Sequence, residues 1–206
     1  MSNFRRRFMV SQNDNQIPSE DGVYIQSIDG NFYTYDEWNL PNEQANGVAV
    51  ISSEHPNGGF VIAPAKSKRL SWINNDKYVR VTGVVTTEDT DMAKKDYKGI
   101  ENSAAIALKY GNTDDYAVGW CHNYTFPNGK KGYLGSCGEW WIAYNNKNET
   151  NSCMSLIGGV AIAINGYHSA STQANYMYAW TMYWGDGFTA TGDKLRTNNV
   201  RAFCSL

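Results

Sequence analysis

The sequence predicts an α+β fold in which an antiparallel sheet is combined with two or three helices. Short runs rich in β-branched and aromatic residues occur near both ends of the chain, and glycine-containing turn pairs separate them. Between these runs, apolar residues recur at helical spacing together with helix-start and helix-stop signals. Strands, then helices, then strands is an order typical of α+β domains.

The first predicted strands follow one another closely. The run VYIQSI (23–28) leads into Asp29-Gly30 and then into NFYTY, which is a strong hairpin signal. GVAVIS (47–52) and GFVIAP (59–64) come next, and the β-branched stretch KYVRVTGVVTT (77–87) predicts a further strand. These segments therefore predict the first half of the sheet.

The helices are predicted from spacing and capping. ENSAAIALKYG (101–111) has Ala, Ile and Leu at helical spacing and ends on a glycine. Ser136 and Glu139 form the Ser-x-x-Glu pattern of a capping box, and the tryptophans and tyrosine that follow supply an apolar face. A second short helix is predicted over 150–157, before a Gly-Gly pair.

The last part of the chain returns to strands. In YMYAWTMYW the side chains alternate between two faces of a strand. One face carries Tyr178, Trp180, Met182 and Trp184. The other carries Met177, Ala179, Thr181 and Tyr183. Two glycine turns follow, and NVRAFCSL (199–206) predicts a final strand.

Composition excludes several classes of protein. The chain has 206 residues, enough for one full core or for one domain with an appendage. The net charge is −2 and the sequence pI is about 5.9, so no basic field indicates a nucleic-acid partner. The longest apolar run, over 156–164, is far too short to span a membrane. We therefore expect neither a nucleic-acid partner nor a membrane span.

The N-terminal segment is predicted to be an arm over residues 1–18, followed by one domain over 19–206. Arg5, Arg6 and Arg7 are basic, but the chain then turns polar and has no apolar stretch of the kind a secretory signal needs. We therefore expect a virion-associated protein, or a cytoplasmic one before assembly. The arm is either solvated and partly disordered or a segment that docks into a larger assembly.

The cysteines and histidines give no sign of a metal or cofactor site. The chain has four cysteines and no Cys-x-x-Cys pair, so we expect reduced and mostly buried thiols. The three histidines have no metal-ligand spacing, and His55, beside a proline, is predicted to be a loop residue. Asp89-x-Asp91 and Asp114-Asp115 are typical of turns. No metal and no cofactor is expected.

Several stretches, in this order and spacing, resemble one family. They are GYLGSCGEWW (132–141), YNNK (144–147), IGG (157–159), YHSAST (167–172), Ala179-Trp180 and VRAF (200–203). This pattern resembles the C-type-lectin-fold domains related to formylglycine-generating enzymes. More narrowly, it resembles the variable proteins of diversity-generating retroelements in Bacteroides-type gut bacteria and their phages. The resemblance runs from about residue 22 to the end, with Gly135 where proline is usual and His168 where tryptophan is usual.

The resemblance implies a formylglycine-generating-enzyme-like variant of the C-type lectin fold, whose last strands and loops present a diversifiable surface. The segment 175–199 is rich in Tyr, Trp, Asn, Thr and Gly, a composition typical of antibody-like binding surfaces. By analogy Trp180 belongs to the scaffold. The ligand-binding residues predicted from the resemblance are His168, Asn175, Tyr176, Tyr178, Thr181, Tyr183, Asp186, Phe188 and Lys194.

We therefore predict a non-enzymatic ligand- or receptor-binding protein, associated with a phage or prophage tail, whose ligand is a cell-surface protein or a glycan. A homo-oligomer or virion assembly through the N-terminal arm stays open. One alternative is a purely structural assembly subunit. The other is an oxidase of the formylglycine-generating type, which would use Cys137 and Cys204, with the helix dipole lowering the pKa of Cys137.

Overall fold

A computed structural model describes residues 16–38, 43–75 and 77–206 of the chain. Residues 1–15 of the predicted N-terminal arm lie outside the described residues, and the boundary between arm and domain at 18/19 stays a prediction. Within the described ranges, no helix has the length and apolar character needed to cross a membrane.

The described residues form eleven strands and five helices, two more helices than the highest number expected. The strands are β1 (Gly22–Ser27), β2 (Phe32–Tyr33), β3 (Ala45–Ile51), β4 (Gly59–Ile62), β5 (Lys68–Leu70), β6 (Tyr133–Leu134), β7 (Tyr167–Gln173), β8 (Tyr178–Tyr183), β9 (Thr189–Asp193), β10 (Asn198–Val200) and β11 (Ala202–Ser205). The helices are α1 (Thr90–Ala93), α2 (Gly99–Tyr110), α3 (Ala117–Asn123), α4 (Cys137–Asn145) and α5 (Lys147–Leu156). The α+β class is confirmed.

The strands form two sheets where the sequence predicted one. The first sheet has the order β2-β1-β3-β4-β11-β6, and all its neighbours are antiparallel. The second has the order β5-β10-β7-β8-β9, and it is antiparallel except where β10 runs parallel to β7.

The first sheet separates two hydrophobic clusters because successive side chains of a strand point to opposite faces. Val48 and Val50 of β3 lie in one cluster, with α4, α5 and the inward face of β8. Ala49 and Ile51 lie in the other, with α2 and α3. The central strands therefore read as continuous apolar runs, since both of their faces are buried.

The predicted helix signals are confirmed. α4 begins with a capping box, in which the Ser136 hydroxyl accepts from the Glu139 N–H and the Glu139 carboxylate accepts from the Ser136 N–H. α2 ends at Gly111, whose φ of 80° lies in the left-handed region that glycine tolerates. α5 begins at Lys147, three residues before the predicted helix, and ends before the Gly158-Gly159 pair.

Two predicted strands are wrong in detail. Residues 77–87 form no strand apart from an isolated bridge at Thr86. The final predicted strand is divided into β10 and β11, which belong to different sheets and are separated only by Arg201. The Arg201 guanidinium is buried and donates to the carbonyls of Ala63 and Val160, at 3.0 and 2.9 Å. This arginine therefore ties the junction of the two sheets to neighbouring loops.

His55 lies in the loop between β3 and β4, as predicted, but it is buried. It is 5% exposed, and its Nε2 lies 3.3 Å from the Glu139 carboxylate. The same carboxylate oxygen accepts a hydrogen bond of 2.7 Å from the Tyr133 hydroxyl. Since a buried carboxylate is costly without partners, this polar cluster is part of the structural core beside α4.

Candidate functional site

One face of the strand β8 lies in the core. Strand alternation predicted four residues on this face, and three of them are buried there. Trp180, Met182 and Trp184 are at most 2% exposed and belong to the first cluster. The Trp180 indole N–H donates to the Thr87 carbonyl at 2.8 Å. The residues on the other face of the strand are therefore supported by a closely packed core.

A pocket lies on the sheet formed by β7 to β10. Its cavity volume is about 420 Å³, within the range of about 300–1,000 Å³ typical of small-molecule sites. It is lined by Tyr167, Tyr178, Thr181, Ala190, Thr191, Gly192, Asp193, Arg196 and Asn198. Two of the predicted ligand-binding residues, Tyr178 and Thr181, are thus brought together here.

The floor of the pocket is made of small side chains. Thr181 is 5% exposed, and its hydroxyl donates to the Ala190 carbonyl at 3.0 Å. Gly192 pairs with Ala179 across β8 and β9. A Cβ at position 192 would lie 2.9 Å from the Thr181 methyl, closer than real Cβ contacts allow. Glycine is therefore required for this floor to stay as deep as it is.

Two tyrosines stand in the lining of the pocket. Tyr167 is 39% exposed, and its ring packs edge to face against Tyr183 at a centroid distance of 5.4 Å. Tyr178 is 36% exposed, although strand alternation predicted it on the inward face with Trp180. It is the first residue of β8, opposite Asp193 at the end of β9, where the inward cluster does not extend. Both rings are therefore available for stacking.

The carboxylate of Asp193 has a structural role. The Tyr78 hydroxyl lies 3.0 Å from each of its oxygens, and the Leu195 N–H donates to it at 2.8 Å. Burial, and then this hydrogen bond, raise the pKa of the Tyr78 phenol. Asp193 therefore holds the irregular segment 77–87 against the end of β9.

Several other polar groups of the pocket are unengaged. The side chains of Thr191, Arg196 and Asn198 make no hydrogen bond or ion pair with any residue that the structure describes. The hydroxyls of Tyr167 and Tyr178 have no partner in the same described ranges. Arg196 is exposed, on the turn between β9 and β10. The pocket thus offers one cation and several neutral hydrogen-bonding groups.

His168 is a core residue, contrary to the predicted ligand contact. It pairs with Met182 on the inward face, and its ring lies 5.0 Å from that of Trp140. Its Nε2 is 3.1 Å from the Ala163 carbonyl, and its Nδ1 has no partner among the described residues. Burial lowers the pKa of His168 to about 4. The imidazole is therefore neutral near pH 7 and out of reach of a surface ligand.

Lys194 is also buried, contrary to prediction. Its ammonium donates to the Val79 carbonyl at 3.0 Å, the Gln173 amide oxygen at 2.5 Å and the Asn175 carbonyl at 2.9 Å. It also lies 4.5 Å from the centre of the Trp72 ring. Burial, followed by the charge of Arg80, lowers the pKa of Lys194 to about 7. The lysine joins the segment 77–87, the end of β7 and the turn between β7 and β8.

The remaining predicted residues lie around β8 but outside the pocket lining. Tyr176 and Phe188 are 55% and 58% exposed, and Asp186 is exposed in the turn after β8. Tyr183 is half-buried against Tyr167. Asn175 shapes its own turn, since its side-chain oxygen accepts from the Met177 and Tyr178 N–H groups. A ligand-binding role for these residues stays a prediction.

Sequence reasoning missed five polar or aromatic residues of the pocket: Tyr167, Thr191, Asp193, Arg196 and Asn198. They come from three different strands and one turn. The alternation within β8 was visible in the sequence, but the register that places β9 beside it was not. The Gly-Asp pair at 192–193 was interpreted as a turn and is instead the end of β9.

The four cysteines are free and buried. Burial raises the pKa of the Cys137 thiol to about 12, with the charge of Asp96 adding to the effect. The helix dipole was expected to lower this pKa, and desolvation prevails because the thiol is 1% exposed. Burial also raises the pKa of Cys204 to about 12. Among the described residues, no cluster of three or more His, Cys, Asp or Glu side chains is placed to hold a metal ion.

Comparison with known proteins gives one informative result. The fold is similar to that of a fimbrial protein from Bacteroides ovatus, with a TM-score of 0.66 and 16% sequence identity. The similarity covers 91% of this chain and 49% of that one, so the chain spans about half the length of the fimbrial protein. No family model and no curated protein matches the sequence. At this identity the similarity establishes a shared fold alone.

Proposed function

We propose that this protein binds a cell-surface ligand through the face of the β7–β10 sheet, with the pocket between Tyr167 and Tyr178 at its centre. The observation that carries the proposal is that exposed aromatic rings and unengaged polar groups converge over a closely packed base. Tyrosines of this kind supply large, stiff contact area at low entropic cost.

We further propose that the scaffold is a C-type lectin fold and that the C-terminal surface is diversified, as in the variable proteins of retroelements. The motif order of the sequence supports this assignment. Under this proposal the protein is a receptor-binding component of a phage or prophage tail. It has no enzymatic role, which the raised pKa values of Cys137 and Cys204 support because thiolates are the nucleophilic form.

Binding of labelled protein to panels of intact bacterial cells tests the ligand-binding role. We expect Tyr178→Ala to weaken binding by roughly 10-fold or more, since aromatic anchors dominate such interfaces. Tyr35→Ala is the matched control, because Tyr35 is an exposed tyrosine outside this pocket. Equal binding by both variants would refute the proposed surface.

Deep sequencing of the 3′ end of the gene in a natural population tests diversification. The proposal expects substitutions to accumulate at exposed positions such as Tyr176, Tyr178 and Arg196 while Trp180 and the VRAF segment stay fixed. Uniform conservation across the whole C-terminal region would remove the diversification part of the proposal.

A second function, that of a structural assembly subunit, is favoured by one observation. The fold is shared with a fimbrial protein, and the match covers about half of that chain. An assembly subunit predicts that the same face is buried against another chain. A stable oligomer in light scattering that Tyr178→Lys disrupts would support assembly, whereas a monomer that binds cells would favour the ligand-binding role.

A further inference from the structure

We infer that the pocket on the β7–β10 sheet accepts a sugar that carries a carboxylate, as part of an acidic glycan. This inference rests on the proposed ligand-binding role of the same surface and names the chemical class of its ligand. It follows from which groups of the pocket are already engaged within the protein and which are not.

The two charged side chains of the lining differ in this respect. The Asp193 carboxylate accepts from the Tyr78 hydroxyl and the Leu195 N–H, so it is held within the protein, although about half of its acceptor positions stay open. The Arg196 guanidinium has no ion pair or hydrogen bond with the described residues. A guanidinium only donates hydrogen bonds, and its planar fork fits a carboxylate in a bidentate manner. Arg196 is therefore the charged side chain of the lining that lacks a partner, and the group that would pair with it is an anion.

The surrounding charge supports the same conclusion. Arg69, on the neighbouring strand β5, donates through Nη2 to the Thr197 carbonyl at 2.9 Å, one residue from Arg196. Among the described residues, no arginine forms an ion pair with a carboxylate. Two arginines without carboxylate partners thus lie beside one turn, and Asp193 is the one carboxylate of the pocket lining, so the local balance of charge is positive although the whole chain has a net charge of −2.

The neutral groups indicate a sugar as the carrier of the carboxylate. The hydroxyls of Tyr167, Tyr178 and Thr191 and the amide of Asn198 can each donate and accept, as the hydroxyls of a sugar do. The exposed tyrosine rings supply apolar faces for a pyranose ring, and the small floor at Gly192 leaves room for it.

An acidic peptide fits this geometry less well. An extended peptide gains most of its affinity by pairing its main chain with the free edge of a sheet. The pocket instead lies across the faces of several strands and includes the turn between β9 and β10, although β9 itself is an edge strand of the sheet. The free groups of its lining belong to side chains, which match the periphery of a sugar rather than the backbone of a peptide.

The inference is tested with oligosaccharides that differ in the carboxylate alone. Oligogalacturonate and its methyl ester form one pair, sialyllactose and lactose a second, and a poly-glutamate peptide represents the acidic peptide. We expect at least one acidic sugar to bind roughly 10- to 100-fold more tightly than its neutral counterpart, the range that a charge-assisted hydrogen bond provides. Arg196→Gln should remove this preference, and Tyr178→Ala should weaken binding of both members of the pair.

Lys95→Gln is the matched control, because Lys95 is an exposed cation outside the pocket and its replacement changes the net charge equally. If Arg196→Gln and Lys95→Gln lose the same affinity for the acidic sugar, the preference is a general electrostatic attraction and the inference is overturned. Equal affinity for acidic and neutral sugars, or tighter binding of poly-glutamate, would overturn it while leaving the proposed ligand-binding surface intact. Failure to bind any of these probes would overturn the inference, whereas the ligand-binding role is lost only if cell binding is also unaffected by Tyr178→Ala.

Discussion

Acid should destabilise this protein through His168 in particular. Its ring is fully buried between Trp140 and Trp184, and its Nδ1 has no partner among the described residues, so there is no acceptor for a second proton. The folded protein therefore excludes the proton that the unfolded chain binds. Burial lowers the pKa of His168 from 6.5 to about 4 in the folded state. The contribution of the neutral histidine to stability is complete above about pH 6.5 and is lost as the pH falls to about 4.

The size of the effect follows from the two pKa values. They differ by about 2.5, and each pKa unit corresponds to about 1.4 kcal/mol, so His168 accounts for a loss of about 3 kcal/mol across this range. Urea unfolding followed by tryptophan fluorescence measures this loss directly. The comparison is with His168→Phe, which keeps an aromatic ring and cannot titrate.

His168→Phe also loses the hydrogen bond to the Ala163 carbonyl, which costs about 1 kcal/mol at every pH. The quantity to compare is therefore the slope with pH and not the stability at a single pH. Carboxylates titrate in both proteins and cancel in the difference. If the two proteins lose stability in parallel as the pH falls, the imidazole is protonated in the folded state without penalty and the reasoning is wrong.

Three further predictions concern the support of the pocket and of α4. Glu139→Gln should lower the free energy of unfolding by about 2–3 kcal/mol, because its NH₂ group would replace one carboxylate oxygen and face either the Ser136 N–H or the Tyr133 hydroxyl. Tyr133→Phe, which removes one donor, should cost about 1 kcal/mol in the same urea assay. Lys194→Met should cost about 2–3 kcal/mol by leaving the Val79 and Asn175 carbonyls without a donor, and an unchanged melting temperature would contradict the role of the ammonium. Gly192→Ala should cost about 1–2 kcal/mol through its contact with the Thr181 methyl, and Thr181→Ser should recover most of that loss in a double-mutant cycle.

The elements that could be predicted from the sequence are those fixed by nearby residues. The capping box of α4 requires only that Ser136 and Glu139 be three residues apart, and the hairpin of β1 and β2 requires only the Asp29-Gly30 pair between two strand-like runs. In both cases the residues that fix the local geometry lie within the sequence motif itself. The observed elements therefore agree closely with the predicted ones.

The segment 77–87 could not be predicted in the same way. Its composition favours a strand, but, outside the bridge between Thr86 and Gln173, side chains distant in the sequence satisfy its backbone. The Val81 N–H donates to the Gln173 amide oxygen, the Val85 N–H donates to the Asn102 amide oxygen, and the Val79 carbonyl accepts from Lys194. Since β propensity reflects packing as much as backbone preference, the valines are used here as core contacts in an irregular segment.

The candidate site was predictable only in part for a similar reason. Alternation along β8 distinguishes Thr181 from Trp180 within one strand. It does not indicate that β9 ends beside Tyr178, or that the turn after β9 brings Arg196 to the same pocket. His168 and Lys194 resemble surface residues by type, and their burial depends on the pairing of β7 with β8 and on the position of segment 77–87.

The junction at Arg201 sets the order in which the protein can be completed during synthesis. β10 lies between β5 and β7, and β11 lies between β4 and β6, so each sheet has a gap until this late segment is present. Before residues 198–205 are available, the chain has two interrupted sheets and several unpaired strand edges. Neither sheet can therefore close until this segment has been synthesised, and the earlier intermediates expose edges that are prone to aggregation.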